Sequence, residues 1–137
     1  MKPSFLTTFT CATSLLFSLA TSAALSGDEL QMADYIDGRK EAAMSLLEKS
    51  VNINSGTMNF SGVRKVADQL MPEFEALGFD VWFEDGAAFN RAGHLIARIE
   101  GGKGPKMLLI GHLDTVFEPG SPFQTFTRVD DKQIKGP

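Results

Sequence analysis

Cysteine is nearly absent from this sequence. Cys11 is the only one in 137 residues, and it falls inside an apolar, hydroxyl-rich leader. The rest of the chain therefore has no means of forming a disulfide, and any metal site must be built from His, Asp and Glu. Histidine is almost as scarce, with His94 and His112 alone. There is no basic cluster, and 13 Lys and Arg face 17 Asp and Glu for a net charge of −4. A mildly acidic chain without a basic patch is a poor match to nucleic acid. Internal repeats and low-complexity tracts are also missing.

What is present begins with the leader, MKPSFLTTFTCATSLLFSLATSAALS. Lys2 is followed by an apolar stretch from Phe5 to Leu19 and then by small residues, ATSAA. That is the layout of a secretory signal peptide, with cleavage after Ala23 or Ala24. A membrane anchor is the alternative, but Thr and Ser interrupt the run and no stop-transfer pattern follows. A lipid-modified Cys11 is a lesser alternative, because the small-residue approach to it is lacking. We expect residues 1–24 to be a signal peptide and residues 25–137 to be an exported, periplasmic or secreted part. Removal of Lys2 leaves 12 basic against 17 acidic residues, a charge of −5.

The spacing of Ala43, Met44, Leu47 and Val51 predicts a helix over residues 28–54, capped by Ser26 or Asp28. NSGTMNFSG reads as a loop. A second helix follows, with Ser61 as its cap and Val63, Val66, Leu70, Phe74 and Leu77 on one face. Pro72 should kink it, and Gly78 should end it. FDVWFED and HLIARIE alternate as strands, and GGKGP is a turn. KMLLIG is a continuous apolar run, suited to a central strand buried on both faces. FTRVDDKQIKGP reads as two short strands about an Asp130-Asp131-Lys132 turn. The expectation is an α/β layer structure, two helices leading into a mixed sheet with a buried central strand.

That apolar run ends in GHLDTVF, with His112 and Asp114 two residues apart. In a strand this spacing projects both to one face, at the carboxyl end where open α/β sheets place ligands. An imidazole that binds a metal through one nitrogen gains from a carboxylate on the other, which fixes its tautomer and raises its basicity. The bland reading is a structural histidine at a strand end with Asp114 capping the turn. Spacing alone leaves both open. His94, at the start of HLIARIE, reads as a surface histidine. Asn59-Phe60-Ser61 fits a glycosylation pattern, but a simple loop accounts for it.

LLIGHLDTVF resembles the first metal-site motif of the zinc-dependent carboxypeptidase and deacylase family that includes glutamate carboxypeptidase, acetylornithine deacetylase, aminoacylase and succinyl-diaminopimelate desuccinylase. LLEKSVNINSGTMNFSGVRKVADQL resembles the family's opening helix, Ser-Gly-Thr loop and second helix. LGFDVWF, HLIARIEGGKGPKMLLIGHLDTV and FTRVDDKQIKGP follow in the family's order. The resemblance covers roughly residues 40–137 and is strongest to the glutamate carboxypeptidase branch. It implies the N-terminal, incomplete portion of a zinc-peptidase catalytic domain.

Carried over by position, the resemblance makes His112 a zinc ligand and Asp114 the catalytic-site acid that orients it. It implies two zinc ions that activate a water, a glutamate general base, and further ligands and a homodimerisation domain, all of which would lie beyond Pro137. The implied activity is hydrolysis of a peptide or N-acyl amino acid amide bond in a small substrate. No nucleic acid is implied, and no membrane after leader removal. The rival expectation is a non-catalytic exported α/β binding or interaction module, or an inactive truncated product.

Overall fold

The computed structural model describes residues 24–137, so the signal-peptide reading of residues 1–24 and Cys11 falls almost wholly outside the described residues. The chain divides into two compact units, one ending at Ile36 and the other running from Asp37 to Pro137. The first contributes helix α1 (Gly27–Asp37), which buries no residue. Its start is a reciprocal cap. The Glu29 carboxylate accepts from the Ser26 amide at 2.7 Å, and the Ser26 hydroxyl accepts from the Glu29 amide at 3.3 Å. Two amides that the helix itself cannot satisfy are thereby bonded.

Residues 28–54 are two helices and not the single one expected. The helix breaks at Gly38 and Arg39, and α2 (Lys40–Val51) follows. Glycine loses the most backbone freedom in a helix, about 1 kcal/mol relative to alanine. The residues flanking the break, Asp37 and Lys40, form an exposed ion pair at 2.8 Å.

Helix α3 (Phe60–Glu75) carries the core of the second unit. Val63, Val66 and Ala67 are its buried apolar residues. Leu70 and Phe74 extend that face half-buried, whereas Leu77 beyond the helix end is exposed. The cap is Asn59 and not Ser61. The Asn59 carboxamide oxygen accepts from the Gly62 amide at 3.2 Å, and the Ser61 hydroxyl turns back to donate to that same oxygen at 3.1 Å. Pro72 lies inside the helix, which nevertheless runs on to Glu75. Gly78, at φ 84°, closes the turn as expected, and Phe79 swings back to meet Phe74 edge-on at 5.8 Å.

Strands β1 (Asp80–Asp85) and β2 (Gly93–Arg98) pair antiparallel, with Val81 opposite Ala97 and Phe83 opposite Leu95. The alternation read from the sequence is kept: Val81 and Phe83 are half-buried, while Asp80, Trp82 and Glu84 face outward. Both strands pack on α3, and the Arg64 guanidinium lies 4.5 Å over the Phe83 ring. Strands β3 (Thr127–Arg128) and β4 (Ile134–Lys135) form a second antiparallel pair. Their turn is held by Asp130, which accepts from the Lys132 amide at 2.7 Å.

The α/β class therefore holds, as three helices followed by small antiparallel sheets. The mixed sheet with a buried central strand is not formed. Met107, Leu108, Leu109 and Ile110 are 81–85% exposed. A strand of unbroken apolar residues is stable only with hydrogen-bonded neighbours at its edges and cover on both faces. Among the described residues β2 pairs with β1 alone. Among the described residues the one parallel pairing is an isolated bridge between Gly56 and Thr115.

Candidate functional site

The Gly56–Thr115 bridge joins the loop ahead of α3 to the stretch that follows the exposed apolar run. The Thr115 amide donates to the Ser55 carbonyl at 2.8 Å, and the Thr57 amide donates to the Thr115 carbonyl at 3.0 Å. Asn54 reinforces the junction: its carboxamide nitrogen donates to the Phe117 carbonyl at 2.8 Å and to Gln124 Oε1 at 2.6 Å. Glu118 reaches the same loop and accepts from the Met58 amide at 2.9 Å. Gly56 lies so close to Glu118 that a Cβ there would sit 2.6 Å from its carboxylate. No larger residue fits.

This junction delivers His112 and Asp114 to one spot. His112 Nδ1 is 3.2 Å from Asp114 Oδ1 and 2.8 Å from the Asp114 main-chain oxygen. The pair meets through a bend in the chain, not through the pleat of a strand. Both acceptors lie on the Nδ1 side, so a proton there donates to them and the Nε2 lone pair stays bare. His112 is 81% exposed at its side chain and Asp114 34%.

Thr57 is the member that sequence reasoning passed over. Its hydroxyl donates to Asp114 Oδ2 at 2.6 Å. That bond is the first cause holding the Asp114 carboxyl below its ordinary value of 3.8; partial burial opposes it, and the residue's own amide and His112 add to it. The signals available were the loop reading of NSGTMNFSG and the resemblance of Ser55-Gly56-Thr57 to the family's Ser-Gly-Thr loop, and neither assigned the threonine a role. His94, read as a surface histidine and given no site role, is an exposed residue of β2 opposite Glu84, and it also lines the cleft beside His112.

His112 and Asp114 line a cleft of about 910 Å³ whose walls include Val63, Leu70, Phe74 and Leu95. It offers an apolar surface lined also by the imidazoles of His94 and His112, the Arg91 side chain and the Asp114 carboxylate. Among the described residues no three His, Cys, Asp or Glu side chains are grouped so as to hold a metal ion. A catalytic zinc ordinarily needs three protein ligands. The donors present are one free imidazole nitrogen and a carboxylate already bonded by Thr57 and His112, so these residues do not by themselves fit a zinc site. Among the described residues, no helix is long and apolar enough to cross a membrane. The Asn59 carboxamide, bonded to Asn54 at 2.9 and 2.8 Å, serves the loop, and a glycan there would replace one of the two N–H groups that make those bonds.

The chain is 32% identical over 96 residues to carboxypeptidase G2 of Pseudomonas sp. (strain RS-16). The match covers 70% of this chain and 23% of that protein, so the chain spans about a quarter of the curated relative it matches. No family model matches, and no solved structure matches. The similarity supports a carboxypeptidase-like family, in keeping with the motif-level resemblance.

Proposed function

We propose that this chain is the N-terminal part of an exported, zinc-dependent hydrolase that cleaves a peptide or N-acyl amino acid amide bond. The observation that carries the reading is the His112–Asp114 pair. Its Nδ1 side is engaged by a carboxylate and its Nε2 lone pair is bare, and both residues line a largely apolar cleft. The similarity to a carboxypeptidase supports the same class. In this reading His112 is one zinc ligand and Asp114 orients it. The remaining ligands and the general base belong to other parts of a longer, homodimeric protein. Residues 1–24 serve as its signal peptide.

This chain's own contribution is to hold one imidazole in one tautomer and to present an apolar wall beside it. A ligand imidazole backed by a carboxylate is a better donor, and loss of such a carboxylate typically costs 10–100-fold in metal affinity or activity. The test is the longer gene product, assayed for hydrolysis of small peptides and N-acyl amino acids. We expect turnover that a chelator abolishes and that His112→Ala reduces to background. Chelator-resistant turnover, or none at all, would remove the assignment.

The second reading, a non-catalytic binding module, is favoured by one observation: the donor set among the described residues is incomplete. It expects His112→Ala to leave every activity of the longer product unchanged.

A further inference from the structure

We propose that Thr57 is a positioning residue for His112. Its hydroxyl pins the Asp114 carboxylate so that one oxygen stays against Nδ1 and the electron-rich Nε2 faces outward. The proposal rests on the reading of His112 as the group that binds at this site.

The hydroxyl has a single proton and two acceptors within reach, Asp114 Oδ2 at 2.6 Å and the Thr115 carbonyl at 3.2 Å. The charged and closer acceptor takes it. One carboxylate oxygen is thereby committed, and the other is left for the imidazole at 3.2 Å. That second contact is long, so its strength depends on the carboxylate being held still.

The two sides of the contact are unequally supported. Residues 107–110, which lead into His112, are exposed and form no ladder, and His112 itself stands in solvent. Thr57, by contrast, is fixed on several sides. Its amide is bonded to Thr115, Ser55 before it accepts from Thr115, and Gly56 accepts from the Asn59 amide at 2.8 Å. The Met58 amide is bonded to Glu118. The rigid partner is the loop, and the group it steadies is the carboxylate. The Asp114 main-chain oxygen, 2.8 Å from Nδ1, already selects the tautomer. The added effect of Thr57 is to hold the carboxylate in place on the Nδ1 side, where its charge raises the donor strength of Nε2.

The experiment reads Nε2 directly in the full chain. Diethyl pyrocarbonate is attacked by the neutral imidazole nitrogen, and the extent of carbethoxylation at each histidine is followed by peptide mass mapping. Exposed His94 serves as the internal reference. In Thr57→Val, which keeps the shape and loses the hydroxyl, the His112-to-His94 rate ratio should fall about threefold, less than the 10–100-fold typical of a directly bonded partner. Thr57→Ser should restore it. An unchanged ratio in Thr57→Val would overturn the assignment, as would failure of Thr57→Ser to restore a lowered one.

A second measurement does not depend on any variant folding. The Thr57 hydroxyl proton of the unmodified chain should give a slowly exchanging NMR resonance, and its absence would also overturn the proposal. Neither readout involves hydrolysis. A longer product that cleaves no amide while the ratio still falls would sink the proposed function and support the role of Thr57.

Discussion

Asn54 Nδ2 donates to the Phe117 main-chain oxygen at 2.8 Å across 63 positions of sequence, and this bond ties the loop ahead of α3 to the segment that carries the candidate site. The same side chain accepts from the Gly56 amide at 3.3 Å and from Asn59 Nδ2 at 2.8 Å. Asn54→Ala removes all of these at once and strands their partners in a half-buried setting. Leaving such groups unpaired costs about 1–3 kcal/mol. We expect a loss of about 2 kcal/mol in urea denaturation. Asn54→Asp, which keeps the acceptors and loses the donors, should fall between wild type and alanine. A change in the alanine variant within error of zero would show that the junction is held by its main-chain bonds alone.

Gly62 tests the same junction from the helix side. In an ordinary helix, glycine to alanine stabilises by about 1 kcal/mol. At this position a Cβ would collide with the Asn54 carbonyl and come within 2.6 Å of Asn59 Nδ2. Main-chain atoms cannot yield as a flexible side chain would. Gly62→Ala should therefore destabilise, reversing the usual sign, and thermal denaturation of that single variant decides it.

The Thr57–Asp114 bond carries a pH signature. Because the folded-state pKa of Asp114 lies below the ordinary 3.8, folding favours its ionised form. The resulting stabilisation is complete above the unfolded value and is lost as pH falls through the folded one. Wild type should exceed Thr57→Val in stability at pH 7, and the gap should narrow below about pH 4. The effect is small, since a third of the side chain is open to solvent and water screens the interaction. A gap that is constant from pH 7 to pH 3 would mean that the hydroxyl does not prefer the charged carboxylate.

Leu109 and Ile110 separate two accounts of the apolar run. Each is 85% exposed, so Leu109→Asp and Ile110→Asp should change stability by less than about 0.5 kcal/mol. Both should reduce dye binding and self-association, because they break up an exposed apolar patch. If the segment were the buried central strand its sequence suggests, either substitution would place an unpaired charge in a core and cost several kcal/mol.

The contrast marks what was legible in the sequence. Local periodicity was: the Val63–Val66–Leu70–Phe74 face of α3, the alternation of Val81 and Phe83, and the terminator Gly78 all stand as their spacing predicts. The His112–Asp114 pair was legible too, because two residues in near sequence meet whether the chain is a strand or a bend. Whether residues 106–111 find strand partners depends on which other segments lie beside them, and no pattern within the run encodes that. Thr57 was illegible for the same reason. Its contact with Asp114 spans 57 positions and exists only because Gly56 and Thr115 form a bridge. Gly38 was legible in principle, since glycine is a poor helix former, but the spacing of Ala43, Met44, Leu47 and Val51 beyond it outweighed it.

Residues 24–137 alone should not hydrolyse amides. A catalytic zinc takes three protein ligands and leaves one position open for water, and the described residues bring no three suitable donors together. Within the His112–Asp114 pair only Nε2 is bare, since both oxygens of Asp114 are in contact with Thr57 and His112. A single imidazole binds zinc weakly. Calorimetric titration with zinc should show no binding tighter than about millimolar, against the far tighter values typical of complete structural sites. No peptide or N-acyl amino acid should be turned over with or without added metal. Metal-dependent turnover by this fragment, lost with a chelator and lost again in His112→Ala, would mean that the donor set is completed in a way these residues do not display, for instance between two copies of the chain. Sedimentation of the zinc-loaded fragment would then show a dimer that His112→Ala does not form.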